Sequence, residues 1–476
     1  MNKQELYRNI EDKSAGILAL SDKIWEFAEL SMLEFRSTQA YVDYLKAEGF
    51  QVEENLCGIP TAFSGTYGSG NPRIGILGEY DALSGLSQAA GVTHRQPLQE
   101  DGCGQGCGHN LLGAASLAAA IAIKNAIAAG KLSGTVIFYG CPGEEGCAGK
   151  TFMARDGLFR DLDAAITWHP GYTNEVTTGS NAACLQMVYE FAGTAAHAAG
   201  NPWDGRSALD GAELMNVGVQ FLREHMEPKC SLHYSIADAG GISPNVVQPK
   251  AKLVYMVRTE NVRKAKALLQ RVNDIARGAA LMSGTQVTWH QLDGTSDTLS
   301  NSVLEQLLYD NLVQAPAPAY TDEEWQFAQA LRETYPHEGL PGSNVETNPV
   351  LRRQISQLSE KGSKAINDFV VPYYPASPYS PGSTDVGDVS WLTPTAQFET
   401  ATWPSQIPGH SWQVVATGKT GIAHKGLIYA AKVLAGAAMD LMENPDIVKK
   451  AREEFLETAA AGYDCPIGPE VKPSAQ

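Results

Sequence analysis

Three short apolar runs, each ending on residues that bind metals or carry protons, most constrain how this chain can fold. RIGILG (73–78) runs into Glu79-Tyr80-Asp81, TVIFY (135–139) into GCPGEEG with Glu144 and Glu145, and LDAAITW (162–168) into His169-Pro170-Gly171. Apolar runs of this length suit strands of a parallel sheet covered on both faces. Between the first two, the Ala-rich stretch 111–130 reads as a long helix closed by its glycine. Strands alternating with helices predict an α/β domain, whose ligands bind beyond the carboxyl ends of the strands. A fourth loop, Cys107-Gly108-His109, stands just before the helix and adds a thiol and an imidazole to the same rim.

Periodicity also predicts a helix over 21–48. From about 184 to 289 the character changes: a half-exposed strand at 185–191, a helix at 206–225, an alternating strand at 245–258, a charged helix at 263–282 and a strand at 286–290. That order predicts a small α+β domain with one open sheet face, whose exposed edge or helices could pair two subunits. Pro-rich segments at 316–318 and 372–381 read as loops, and the apolar helix 421–442 packs back on the first domain. At 476 residues the chain exceeds one ordinary core. The expected division is a catalytic domain made of 1–182 and 296–476, interrupted by an inserted domain over 183–295.

A formal net charge of −17 argues against non-specific binding to nucleic acid, whose phosphates it would repel. Eight scattered cysteines fit reduced thiols better than a disulfide framework. The first twenty residues read as an amphipathic helix rather than a secretion signal. The richest apolar stretch, 111–127, is interrupted by Ser116, Lys124 and Asn125, short of a membrane span. The expectation is a soluble, cytoplasmic protein with no membrane partner.

Taken singly, a Cys-x-His or a Glu-Glu pair is more often structural than functional, and a strand-end histidine is about as often a cap or core residue as a ligand. Their joint placement on one rim is what points to a metal, and the mixture of thiolate, imidazole and carboxylate suits zinc or a similar divalent ion. Of two adjacent glutamates, one can bind metal while the other takes a proton from an activated water; adjacency does not say which. A Cys–His nucleophilic hydrolase is the competing chemistry. Two residues apart in one loop, however, Cys107 and His109 are better placed to share an ion than to act as nucleophile and base.

GCGHN (106–110), GCPGEEG (140–146), WHPG (168–171), GTAAHAA (193–199), GGISPNVVQ (240–248), GSTDVGDVSW (382–391) and GHSW (409–412) follow in that order. Together they resemble the M20 metallopeptidases, in the amidohydrolase branch that carries a cysteine at the metal site. The resemblance implies a two-metal aminopeptidase-like catalytic domain with an inserted lid that makes a homodimer or a heterodimer with a homologous subunit. It implies two divalent ions, zinc or manganese, with Cys107 bridging them, His109, Glu145, His169 and His410 completing the shell, and Glu144 as general base. His424 rivals His410, but it falls in a helical stretch. Asn110 stands where the branch usually has aspartate, and Cys103 has no family role. His94, His290 and His337 match no motif and are expected at the surface.

In the lid, the resemblance implies that His197 reaches a partner's active site and donates to the oxyanion. Asn245 and Arg258 would hold the substrate carboxylate, and Gly382 and Ser383 would belong to a substrate loop. The activity implied is hydrolysis of p-aminobenzoyl-glutamate. Alternatives are a related dipeptidase, an N-acyl-amino-acid or auxin-conjugate amidohydrolase, or a subunit that needs a homologous partner.

Overall fold

The computed structural model describes residues 2–475, apart from 337, 344, 346 and 377, so the expectation for His337 lies outside the described residues. Strands β1 (Gln51–Glu54), β2 (Phe63–Ser69), β3 (Arg73–Gly78), β4 (Gly134–Gly140), β5 (Ala164–Gly171) and β6 (Glu175–Val176) join β13 (Thr395–Ala401) in one seven-stranded sheet. Its order is β1-β2-β4-β3-β5-β13-β6, and β4, β3, β5 and β13 run parallel. The three expected strands are all in this parallel core. Their side chains alternate between two buried clusters. Ile74, Ile76, Val136 and Phe138 face one, while Leu77, Ile137 and Tyr139 face the other with Phe152 and Phe159. Cover on both faces is why the sequence shows apolar runs rather than alternation.

Helices α1 (Lys3–Phe27), α2 (Phe35–Ala47), α3 (His109–Ala128) and α4 (Gly149–Arg155) belong to the same body. The chain passes from β3 through α3 to β4 on one side, then through α4 to β5 on the other, so β3 lies at a topological switch point. α3 packs against α1 and the Gly421–Glu443 helix. Gly113 permits its close approach to β3: a Cβ there would sit 2.6 Å from the Glu79 carbonyl oxygen.

Two further units frame the mouth of this sheet. A short pair, β7 (Ser180–Asn181) and β12 (Tyr379–Ser380), links the parallel core to the 372–381 loop. An antiparallel sheet of β8 (Ala183–Ala192), β9 (Ser231–Asp238), β10 (Lys250–Thr259) and β11 (Gln286–Thr295) has the order β11-β8-β10-β9. Helices α5 (Ala208–Arg223) and α6 (Val262–Ser283) bury their apolar faces on it through Met215, Val219, Leu268 and Val272.

The structure corrects four expectations. The helix over 21–48 is broken between Phe27 and Phe35, with Ala28 and Met32 at positive φ. There Leu30 bridges Ala82, an attachment to the sheet that no local pattern announces. β9 was missed, because an edge strand exposed along most of its length shows no apolar period. The strand expected from 245 begins at Lys250. Finally, α3 is long and apolar enough to cross a membrane (mean hydropathy 1.7), but most of it is buried in the core.

Candidate metal centre

The site assembles where β3, β4 and β5 end. Beyond β3, Tyr80 is buried and donates to the Thr61 carbonyl at 2.6 Å, which sets Glu79 and Asp81 facing the rim. Asp81 is fully enclosed. Its Oδ2 accepts from Ser31 Oγ (2.8 Å) and the Glu145 backbone N–H (2.9 Å), so it ties the helix break to the Glu-Glu turn. Its Oδ1 lies 2.9 Å from His109 Nδ1. Burial favours the neutral acid, but the hydrogen bond from His109 and the other donors outweigh it and hold the Asp81 carboxyl below its usual range. An ionised carboxylate only accepts, so Nδ1 carries a proton and Nε2 is the atom left to face an ion. Burial opposes the charged ring, but Cys107, Asp81 and Glu79 outweigh it and hold the imidazole well above its usual range, so an ion at Nε2 would displace a proton.

Gly108 makes the next part possible. Its φ is +76°, and a Cβ would come 2.9 Å from Pro170 Cβ, so only glycine lets Cys107 turn back over the first residue of α3. Cys107 Sγ lies 3.4 Å from His169 Nε2. His169 Nδ1 is 2.7 Å from the Pro170 carbonyl oxygen, an acceptor, so this imidazole leaves Nε2 unprotonated. Burial, and then the neighbouring His109, hold His169 below the ordinary imidazole range. On the opposite side His410 Nε2 is 3.3 Å from Glu145 Oε1. The His410 loop is docked by its backbone, the N–H donating to the Gly106 carbonyl at 2.8 Å.

Three groups of three donors result among the described residues, each with its ligand atoms within 4.8 Å of one another: Glu79–His109–Glu144, and two sets, Cys107–His109–His169 and Cys107–Glu145–His410, that share Cys107. Donors about 2.0–2.3 Å from one tetrahedral zinc stand roughly 3.5 Å apart, and the 3.3 and 3.4 Å separations here match that spacing. Glu79 Oε2, His109 Nε2 and Glu145 Oε1 are buried without a hydrogen bond among the described residues, as unliganded donor atoms should be. The residues present therefore fit a pair of divalent ions. Burial, and then the Glu145 charge, push the Cys107 thiol up, while burial with Glu79 and Glu145 pushes the Glu144 carboxyl up; bound cations reverse both effects.

Cys107, Glu144, Glu145, His169 and His410 line one cavity of about 580 Å³, together with Ser383. Ser383 Oγ accepts from Arg258 at 2.6 Å and donates to the Ala182 carbonyl at 2.7 Å, so the guanidinium is anchored at the cavity edge. Gly382 is exposed beside it. His197 and Asn245 are exposed and do not line this cavity. His197 Nδ1 accepts from the N–H groups of Ala199 (3.2 Å) and Gly200 (3.0 Å), which leaves Nε2 as a donor. His424 is held by Asp22 at 2.8 Å, outside both donor sets. Asn110 points away from the ions' side, donating to Ser21 Oγ (3.0 Å) and the Gly418 carbonyl (3.3 Å). Cys103 belongs to neither set, and His94 and His290 are exposed. Sequence reasoning missed Ser31 and Lys150, whose partners lie far along the chain.

A model of peptidase family M20/M25/M40 matches residues 75–410. The chain is 40% identical to one of the subunits of p-aminobenzoyl-glutamate hydrolase from Escherichia coli (strain K12), over 99% of each protein. It is 26% identical to the Xaa-Arg dipeptidase of Mus musculus, over 95% of this chain and 92% of that protein. Among solved structures, a dinuclear metal-binding M20 peptidase of Bacillus subtilis superposes with a TM-score of 0.56 at 17% identity, over 91% of this chain and 99% of that one.

Proposed function

Because the chain belongs to peptidase family M20/M25/M40, we propose that it is a two-metal amidohydrolase that cleaves p-aminobenzoyl-glutamate to p-aminobenzoate and glutamate. The observation that carries this reading is the pair of donor sets joined at Cys107 with Glu144 beside them. Cys107, His109, Glu145, His169 and His410 hold two divalent ions, zinc or manganese. When bound, such ions activate water and polarise the amide carbonyl. Glu144 accepts the proton of the attacking water on its carboxylate and returns it to the departing nitrogen. Arg258, anchored by Ser383, receives the glutamate carboxylate as a planar fork, with Gly382 keeping the loop open. The catalytic body comprises 1–182 and 296–476, and 183–295 forms the lid. The eight cysteines form no disulfide, which suits work in the cytoplasm.

His197 and Asn245 lie outside this chain's cavity, which supports a second chain, a copy or a homologous subunit, supplying them. That the Escherichia coli relative is itself one subunit of a hydrolase supports the same reading.

The test is metal content and hydrolysis of p-aminobenzoyl-glutamate by the purified protein and its Glu144→Gln variant. Two ions per chain in both, with kcat down about 10²–10⁴-fold in the variant, is expected from loss of a general base. A protein that binds no divalent ion would sink the reading. Metal without turnover, cured by adding a homologous subunit, would assign the activity to the assembly instead.

A further inference from the structure

Lys150 is one of the largest side chains in the molecule with no exposure at all, and the hydrolytic scheme gives it no task. Its Nζ stands 2.7 Å from Glu79 Oε1 and 2.5 Å from Asp385 Oδ1, and both carboxylates are as deeply enclosed as the amine. Its backbone N–H also donates to Asp385 Oδ2 at 2.8 Å, so the first turn of α4 and the 382–385 segment are joined twice at one point. Glu79 then has one oxygen fixed and one left over. Oε2 lies 3.3 Å from His109 Nε2 and accepts no hydrogen bond from a described residue. Glu79, His109 and Glu144 form a donor group of their own, compact to within 4.8 Å.

An ammonium buried only for stability gains little, because desolvation offsets most of the attraction in a pair. Here the location is informative: one end of the triad faces the metal-binding atom of His109, and the other is two residues from Ser383, which anchors Arg258. The arrangement resembles the outer partners that orient ligands in metal sites and tune ion affinity. We propose that Lys150 is a positioning residue: it pins the Glu79 carboxylate so that Oε2 faces the ion held by His109, and it fixes the substrate loop to the same point through Asp385. The inference rests on the metal-centre reading above and adds Glu79 to the atoms that face an ion.

Zinc stoichiometry, zinc affinity by chelator competition and the absorption spectrum of the cobalt-loaded protein test it, in the full chain. Two variants are compared with wild type. Glu79→Gln preserves size and leaves the Lys150–Asp385 pair intact. Lys150→Met combined with Asp385→Asn removes one charge of each sign, so the net charge of the cluster is unchanged and Asp385 is not left unpaired, while Glu79 loses the ammonium that pins it. Both are expected to keep one zinc at wild-type affinity, to hold the other 10–100-fold more weakly, and to alter the cobalt spectrum, which a purely structural ion pair would leave unchanged. Wild-type affinity and spectrum in Glu79→Gln overturn the inference while the metal centre stands. Weakening in Glu79→Gln alone, with the folded double variant like wild type, removes Lys150 from the role and also overturns it. Should the double variant not fold, Glu79→Gln decides. A wild-type protein that takes up no zinc overturns the metal centre and this inference together.

Discussion

Cys107 is the residue on which both donor sets depend, since its thiol is the one atom they share. A serine hydroxyl is a far weaker ligand for zinc than a thiolate. Cys107→Ser is therefore expected to bind less than one tightly held ion per chain and to lose at least about 10²-fold in activity, read by metal analysis after dialysis and by initial rates. Full occupancy in that variant would show that the sets do not meet at this sulfur. At this scale the sequence was informative wherever a proposed donor stands at or just past the end of its strand, as His169 does in β5 and Glu145 does after β4. The Cys107–Gly108–His109 loop was legible for a similar reason, standing at the start of a recognisable helix. It was silent on the supporting charges, because Lys150 and Asp385 are 235 positions apart and meet only after the sheet has formed.

Among the elements, those legible in advance were the ones enclosed on all sides or amphipathic over several turns: β3, β4, β5, α3 and α6. The break between α1 and α2 was not, since residues 28–34 leave the helix to reach the sheet and to place Ser31 on Asp81. Another tertiary effect is readable in the Ser302–Gln314 helix. Glu305 is buried there, with the Tyr373 hydroxyl donating to its Oε2 at 2.8 Å, and burial pushes its carboxyl up to about 7. An acid whose folded value is raised binds protons in the native state that the unfolded chain has released, so stability falls as pH climbs from about 4.5 to 7. Glutamine at 305 removes that penalty. Urea unfolding should show Glu305→Gln more stable than wild type at pH 8 by about 1–2 kcal/mol, with the difference gone at pH 4. A variant less stable at pH 8 would mean that the ionised carboxylate supports the helix instead.

At the scale of the whole molecule, the proposed assignment leaves the substrate site incomplete, because His197 is exposed and does not line the cavity of its own chain. Its Nδ1 is taken up by two backbone donors, so Nε2 is held as a hydrogen-bond donor on an exposed ring. The outer edge of β9 meanwhile exposes Tyr234 and Ile236, with Ile242 beyond it, an unguarded strand of the kind that pairs with another chain. If a second copy closes that edge, His197→Ala and Glu144→Gln are each inactive for a different reason, and each chain holds what the other lacks. Mixed after dissociation and reassembly, half of the dimers carry one chain of each kind. In each of those, one site combines the intact Glu144 of one chain with the intact His197 of the other. About a quarter of wild-type sites should then work, as the isologous arithmetic of a two-fold dimer requires. Recovery near that level places His197 across the interface; no recovery, with mixed dimers demonstrated by mass, places its action within its own chain and calls for a lid that closes far enough to bring it there.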